Sequence, residues 1–355
     1  MIIRKKFENV NIGDFGFRTL AFCDWSELQK TRRELLKDHT CPKIFSTKFQ
    51  QLDTFINEET NHMLHLISTF HNKPVAFKPF LLHTLNQGYS VDFMPWMLPF
   101  YRRHFNQFHK WTKYIRNFMA PIVNERYCTW KPGKKNYDYI DTLIRTIRRK
   151  EDKEINLEIA MFSLEDVIGG HSAIANFLMK VFAYIAVRPE IQMRIREEIK
   201  SVTKEMRNVR LTDRRSMPFT EAVILETIRL IASPIVPHVA SQDSSIAGYK
   251  IRKGTLIFLN NYELNYSPEL WENPEEFYPE RFLIDGYLVK PDHFFPFSSG
   301  RRSCIGYKMV QLLSFSIVSL TLQKFQIKPV EGCSYEVPVG NLALSYDTFK
   351  FQFIP

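Results

Sequence analysis

The pattern of apolar and polar positions divides this 355-residue chain into a helical first half and a mixed second half. Residues 24–39, opening on Trp25, are charged with a helical period. Across 45–70 the apolar positions Phe49, Leu52, Phe55, Ile56, Met63, Leu66, Ile67 and Phe70 recur at roughly the 3.6-residue spacing of a helix face. Residues 97–123 are amphipathic, with a break expected at Pro121, where a helix loses a donor and meets a clash. Residues 130–135 read as an exposed loop, and a further helix is expected over 138–149. The longest candidate is 156–186: Asn156 can cap it, Glu158 suits its first turn, and Gly169-Gly170 is expected to interrupt its middle. Helices are also expected over 189–203 and 219–231.

After residue 231 the period changes. Residues 236–240 and 256–260 are β-like, with Gly248 and Lys253-Gly254 as turn signals. The stretch 267–300 is rich in Pro, Asn, Gly and aromatics and is expected to be ordered but irregular. A helix follows Gly306 to about Leu322, and 327–355 alternates as strands do. The expected fold class is mainly α with small β-sheets. With no repeat or low-complexity tract, residues 1–355 read as one domain.

Composition adds three points. The chain is 45% apolar, which allows a large core. Its net charge is +10, with clusters at Arg4-Lys5-Lys6, Arg148-Arg149-Lys150 and Arg214-Arg215. That balance fits an anionic membrane surface or an acidic protein partner; a basic helix with interleaved aromatics is missing, which argues against nucleic acid. The cysteines, Cys23, Cys41, Cys128, Cys304 and Cys333, are odd in number and no two stand at C-x-x-C spacing. This disfavours a disulfide framework or a zinc ribbon and fits a reducing compartment. No signal peptide opens the chain, and no run approaches the roughly 18 apolar residues of a spanning helix, so the chain as given is expected to be soluble.

Cys304 stands apart from its fellows. It lies in Phe297-Ser298-Ser299-Gly300-Arg301-Arg302-Ser303-Cys304-Ile305-Gly306, just before a helix. Gly300 and Gly306 free the backbone on either side, and the positive end of the helix dipole favours a thiolate. The bland alternative is a small buried hydrophobe. No His/Asn or His/Asp motif marks a cysteine protease, though such partners can be remote in sequence, and zinc needs further ligands. One thiolate in a loop suits an axial haem ligand, since the porphyrin supplies the other four ligands. Arg302 could then pair with a haem propionate.

The segment resembles the F-x-x-G-x-R-x-C-x-G signature of the cytochrome P450 family. Glu226-Thr227-Ile228-Arg229 resembles that family's E-x-x-R helix, and Pro279-Glu280-Arg281-Phe282 its P-E-R-F segment. The resemblance implies haem b ligated by Cys304 and bounded by Phe297, Gly300, Arg302 and Gly306. It also implies a buried network of Glu226, Arg229 and Arg281 that locks the irregular loop. His238 lies where the family often places a basic contact to a propionate. Trp25 resembles the tryptophan of the W-x-x-x-R helix, but the fifth position is Gln29, so Lys30, Arg32 or Arg33 would have to substitute.

Gly169-Gly170-His171-Ser172-Ala173 departs from the family's A/G-G-x-D/E-T pattern: Ser172 stands at the acid position and Ala173 at the threonine position. The expected catalytic positions are therefore Gly169, Gly170, His171 and Ser172, with His171 or Ser172 replacing the usual relay, unless the reaction needs none. This variant, with residues 233–243 and 256–261, resembles the Spook-type (Halloween) P450s of arthropod ecdysteroid synthesis. The resemblance implies a monooxygenase acting on a sterol, an electron-donating flavoprotein reductase on a basic face, and a parent protein on the endoplasmic reticulum or in mitochondria. It also implies that the anchor and β-rich N-terminal region, and a segment near 80–92, are missing from this chain. Two alternatives remain: a P450-fold isomerase or dehydratase, and a non-catalytic haem-binding fragment.

Overall fold

The computed structural model describes residues 25–70, 73–76, 102–133, 138–151, 154–233, 235, 237–341, 344 and 348–355; side chains of 75–76 and 102–112 are outside that description. Arg4-Lys5-Lys6, Cys23, Pro234, Val236 and the segment near 80–92 lie outside the described residues.

Local chemistry sets the helix boundaries. α1 (Glu27–Thr40) starts where the Ser26 hydroxyl accepts the Gln29 N–H, and carries Lys37 and His39 at its negative end. α2 (Thr47–Ser68) is capped by Ser46, which accepts from the Phe49 N–H. A short strand, β1 (Val75–Ala76), follows. α3 spans Arg102–Thr129 and corrects the expected break, because it runs through Pro121 without ending. Pro121 is exposed, so the carbonyl that loses its helical donor can face water. α4 (Tyr139–Arg149) is capped by Asp138 and closed by Lys150 in the left-handed region.

α5 (Leu157–Ala186) begins where the Asn156 side chain accepts the Ile159 N–H at 2.9 Å. The glycine pair does not interrupt it, which corrects the second expected break: its helical partners over 30 residues outweigh the local cost of two glycines, about 1 kcal/mol each. α6 (Pro189–Thr203) and α7 (Pro218–Ile231) both start on proline at their first helical position. A 3-10 turn, Leu211–Ser216, lies between them. Glu198 of α6 accepts the Phe219 and Thr220 N–H groups at 2.7 and 2.8 Å, capping α7 from outside.

β2 (His238–Val239) is followed by the hairpin β3 (Ser244–Ile246) and β4 (Tyr249–Ile251), turned at Ala247-Gly248, and then by β5 (Leu256–Ile257). β2 pairs with β5 antiparallel, His238 opposite Ile257. α8 (Asn261–Tyr266), a 3-10 turn (Pro279–Phe282), and the hairpin β6 (Leu283–Ile284) and β7 (Tyr287–Leu288) punctuate the irregular stretch. α9 (Tyr307–Lys324) precedes β8 (Gln326–Pro329) and β9 (Lys350–Ile354). The order β1-β9-β8 forms one antiparallel sheet.

The chain divides into two compact units, each assembled from separated stretches. The first comprises Met1–Thr40, His83–His171 and His238–Ile257. Within it α4 packs on α1 and α3. Arg32, 1% exposed, donates to Ser163 Oγ at 3.1 Å and lies 3.9 Å from Asp166. Arg116 pairs with Glu165 at 2.8 Å and covers the Phe162 ring. The second unit comprises Cys41–Leu82, Ser172–Pro237 and Phe258–Pro355. Its core gathers Phe182, Phe315, Val318 and Phe351, with α9 packed against α2, α6 and α7.

Candidate haem-thiolate site

In the second unit, α7 is buried on almost every side, which is unusual for a helix carrying charges. Glu226 and Arg229 sit three residues apart on one face, and both are 0% exposed. Arg229 grips Glu226 with two parallel bonds, Nε to Oε2 and Nη2 to Oε1, each 2.8 Å. Arg281, from the Pro279–Phe282 turn, donates Nε to the same Glu226 Oε1 at 3.0 Å. The Tyr278 N–H adds a further donor at 3.0 Å.

The arginines spend their remaining donors on carbonyls of the irregular stretch. Arg229 reaches Asn265 and Glu276, and Arg281 reaches Glu272, Asn273 and Glu276. Both guanidiniums also lie over the Trp271 ring, at 5.2 and 5.8 Å. The structure thus brings Glu226, Arg229 and Arg281 together and uses them to fix a stretch with little secondary structure of its own.

The cysteine loop follows that stretch. The Cys304 N–H donates to the Phe297 carbonyl at 2.9 Å, and the Ser303 N–H to Gly300 at 3.2 Å, closing a tight turn. Ser298 and Gly300 adopt φ of 61° and 72°, so the turn needs left-handed backbone twice. Phe297 anchors the loop against the apolar core. Gly306 behaves differently: its φ of −88° suits any residue. What a side chain there would change is space, since its Cβ would stand 3.9 Å from Cys304 Sγ. Gly306 caps α9, so the sulfur lies just ahead of a helix N-terminus. The Cys304 side chain is exposed, which removes the small-hydrophobe reading. Arg302 is half-buried beside it.

The other expected residues are placed as follows. His238, in the first unit, is half-buried on β2, and its Nδ1 is buried with no hydrogen-bond partner. Trp25 precedes α1 and is exposed. Of the three cations that could replace the arginine after it, Arg32 is committed to Ser163 and Asp166, and Lys30 pairs at the surface with Glu27. Arg33 is half-buried. Gly169 is half-buried, Gly170 and His171 are exposed, and Ser172, which falls in the second unit, is buried. Partial desolvation holds the His171 pKa below the usual imidazole value. Two features were missed in the sequence: the buried Lys180, for which helical spacing gives no signal, and the cleft beside the cysteine loop, lined by Leu225, Lys290, Phe297, Ser303, Tyr307 and Gln311.

Among the described residues no group of three or more His, Cys, Asp or Glu side chains could hold a metal ion. A lone exposed thiol at a helix N-terminus therefore suits a metal that brings its other ligands in a macrocycle. The loop and the network below it define the haem-thiolate class. Comparison with known proteins gives the family: the family model described as Cytochrome P450 matches residues 81–353, and the chain belongs to the cytochrome P450 family, whose cofactor is cysteine-ligated haem and whose members are monooxygenases.

Relatives agree. The chain is 34% identical to cytochrome P450 307a1 of Drosophila melanogaster over 95% of its length and 73% of the relative's. It is 31% identical to cytochrome P450 2U1 of Homo sapiens, covering 98% of this chain and 66% of that one. With the farnesoate epoxidase of Bombyx mori it shares 30% identity over 79% of this chain and 58% of the relative. Among the described residues no single helix is long and apolar enough to cross a membrane.

Proposed function

We propose that this chain is the haem-binding part of a monooxygenase that oxidises a sterol of ecdysteroid synthesis. The observation that carries the reading is the closed Phe297–Cys304 turn, which presents one exposed thiol ahead of α9. The substrate class rests on the glycine-glycine-histidine-serine-alanine resemblance, and the 34% identity to the fly protein supports it. Bound haem would supply oxygen activation at iron, with the thiolate donating electron density toward O–O cleavage.

The chain's own residues have separable tasks. Cys304 would hold the iron, and Arg302 and His238 would each meet a propionate, as would Trp25 through its indole N–H. The Glu226, Arg229 and Arg281 network keeps the loop's supporting stretch in one conformation. Gly169 and Gly170 keep one stretch of α5 bare of side chains; Ser172 occupies the acid position of the family's motif in sequence, and His171 or Ser172 would replace its relay. Exposed Arg301 and Lys308 flank the cysteine loop and would favour an acidic reductase surface there. The full-length protein would sit on the endoplasmic reticulum membrane, through a region outside the described residues. The alignment with the fly protein runs over 398 positions, more than this chain's 355 residues, so it contains gaps in this chain.

One observation favours a second reading: Ala173 removes the usual hydroxyl, as a P450 isomerase or dehydratase would tolerate. The test is turnover of dehydrogenated sterols with reductase and NADPH, read by mass spectrometry. A product heavier by one oxygen supports the monooxygenase. Isomerised or dehydrated product without NADPH supports the second reading, and haem uptake without turnover leaves only a binding fragment.

A further inference from the structure

Ser172, Asn176 and Lys180 follow one another at four-residue steps along α5, which stacks them on one face of the helix. All belong to the second unit, and all are buried, at 8%, 2% and 0% exposure. A polar row inside an apolar core is costly unless each group is satisfied. Lys180 donates to the carbonyls of Asn341 and Pro338, the second at 3.5 Å. Both acceptors are neutral, and burial pulls its pKa down to about 8. The Asn176 Oδ1 is buried and has no hydrogen-bond partner. A buried amide oxygen with a hydroxyl one turn before it and an ammonium one turn after it is a site for bound water. At the other end, the turn that holds the ammonium carries exposed Val339 and Asn341.

We propose that Ser172, Asn176 and Lys180 form a water-bridged proton relay along α5. It runs from the surface turn at 338–341 to Ser172, where the family's motif places its acid. The idea rests on the haem-thiolate reading and addresses the acid and threonine that this chain lacks. The Lys180 ammonium gives one proton to water held by Asn176 Oδ1, and that water protonates the Ser172 oxygen as the hydroxyl releases its own proton onward. The Lys180 amine regains a proton from bulk water at the surface turn. One proton moves and no residue is altered. These are positioning residues, since the relay acts through water.

Two measurements test it. An atomic-resolution crystal structure of the haem-loaded protein should show ordered water within hydrogen-bond distance of Asn176 Oδ1; a dry or protein-paired oxygen overturns the relay. In Lys180→Met and Asn176→Leu proteins with reductase and sterol, product-forming turnover should fall on the order of 100-fold, the lower range for a positioned proton donor. The share of NADPH ending as hydrogen peroxide and the solvent deuterium isotope effect should both rise, and Lys180→Arg, whose guanidinium does not release its proton, should lose turnover as Lys180→Met does. Unchanged peroxide share and isotope effect, in variants that keep the thiolate-type carbon-monoxide band, overturn the relay and leave the haem-thiolate reading intact. Absence of that band in the unmodified protein is the failure of the underlying reading instead. If Lys180→Met does not fold, Asn176→Leu and the crystallographic water decide.

Discussion

Replacing Glu226 by leucine is the most demanding test of the buried network. The carboxylate accepts from three guanidinium N–H groups and one backbone N–H, all between 2.8 and 3.0 Å. Leucine is of similar size, so the main change is not a cavity. It leaves Arg229, which is 0% exposed, and Arg281 as neighbouring cations with no counter-charge. Breaking a buried pair from one side costs about 3–5 kcal/mol. The carbonyls of Asn265 and Glu276 still hold Arg229, which favours the lower end. At about 2–4 °C per kcal/mol for a domain of roughly 200 residues, the unfolding midpoint should drop by roughly 10 °C. Thermal unfolding followed by far-ultraviolet circular dichroism measures it. Removing the other half as well, in Glu226→Leu/Arg229→Leu, should cost less than the sum of the single changes, because the orphaned charge goes too. A midpoint within about 2 °C of the unmodified protein, or a double variant that is simply additive, would refute the reasoning.

Other expectations concern single elements. Gly300→Ala should lower stability by about 1–2 kcal/mol, since φ of 72° is left-handed, and should weaken haem uptake in titration; Gly306→Ala should spare stability. Asn156→Ala removes the cap from the Ile159 N–H and should cost about 1 kcal/mol by denaturant unfolding. Lys180 has a folded-state pKa lowered to about 8 against 10.5 unfolded, so the unfolded chain binds more protons between those values. The unmodified protein should therefore gain stability relative to Lys180→Met as pH rises through that window; a flat or falling difference contradicts the burial of the ammonium.

Much of this was legible in the sequence because the signals are local. Asn156, Asp138 and the Phe49-to-Ile67 spacing set three helices with little help from the rest of the chain. The cysteine loop was legible for another reason: its turn, its thiol and its helix start occupy ten consecutive residues. What escaped was decided by tertiary surroundings. Pro121 breaks a helix only where the lost bond cannot be replaced, and exposure is not written in the sequence. Gly169-Gly170 was outvoted by the long helix around it. Arg32 reads as one of three cations after Trp25 that could substitute for one another, yet Ser163, distant in sequence, receives it in the core. Lys180 looks like a polar interruption in an apolar helix until the 338–341 turn supplies its carbonyls.

The central claim is that Cys304 holds iron through its sulfur. The direct measurement is the absorption spectrum of the haem-reconstituted, reduced, carbon-monoxide-bound chain, alongside Cys304→Ala. The account predicts a red-shifted thiolate-type band in the unmodified protein and its loss in the variant, with the unfolding midpoint preserved. The same band in both proteins, or a band of the imidazole-ligated type in the unmodified one, would contradict it.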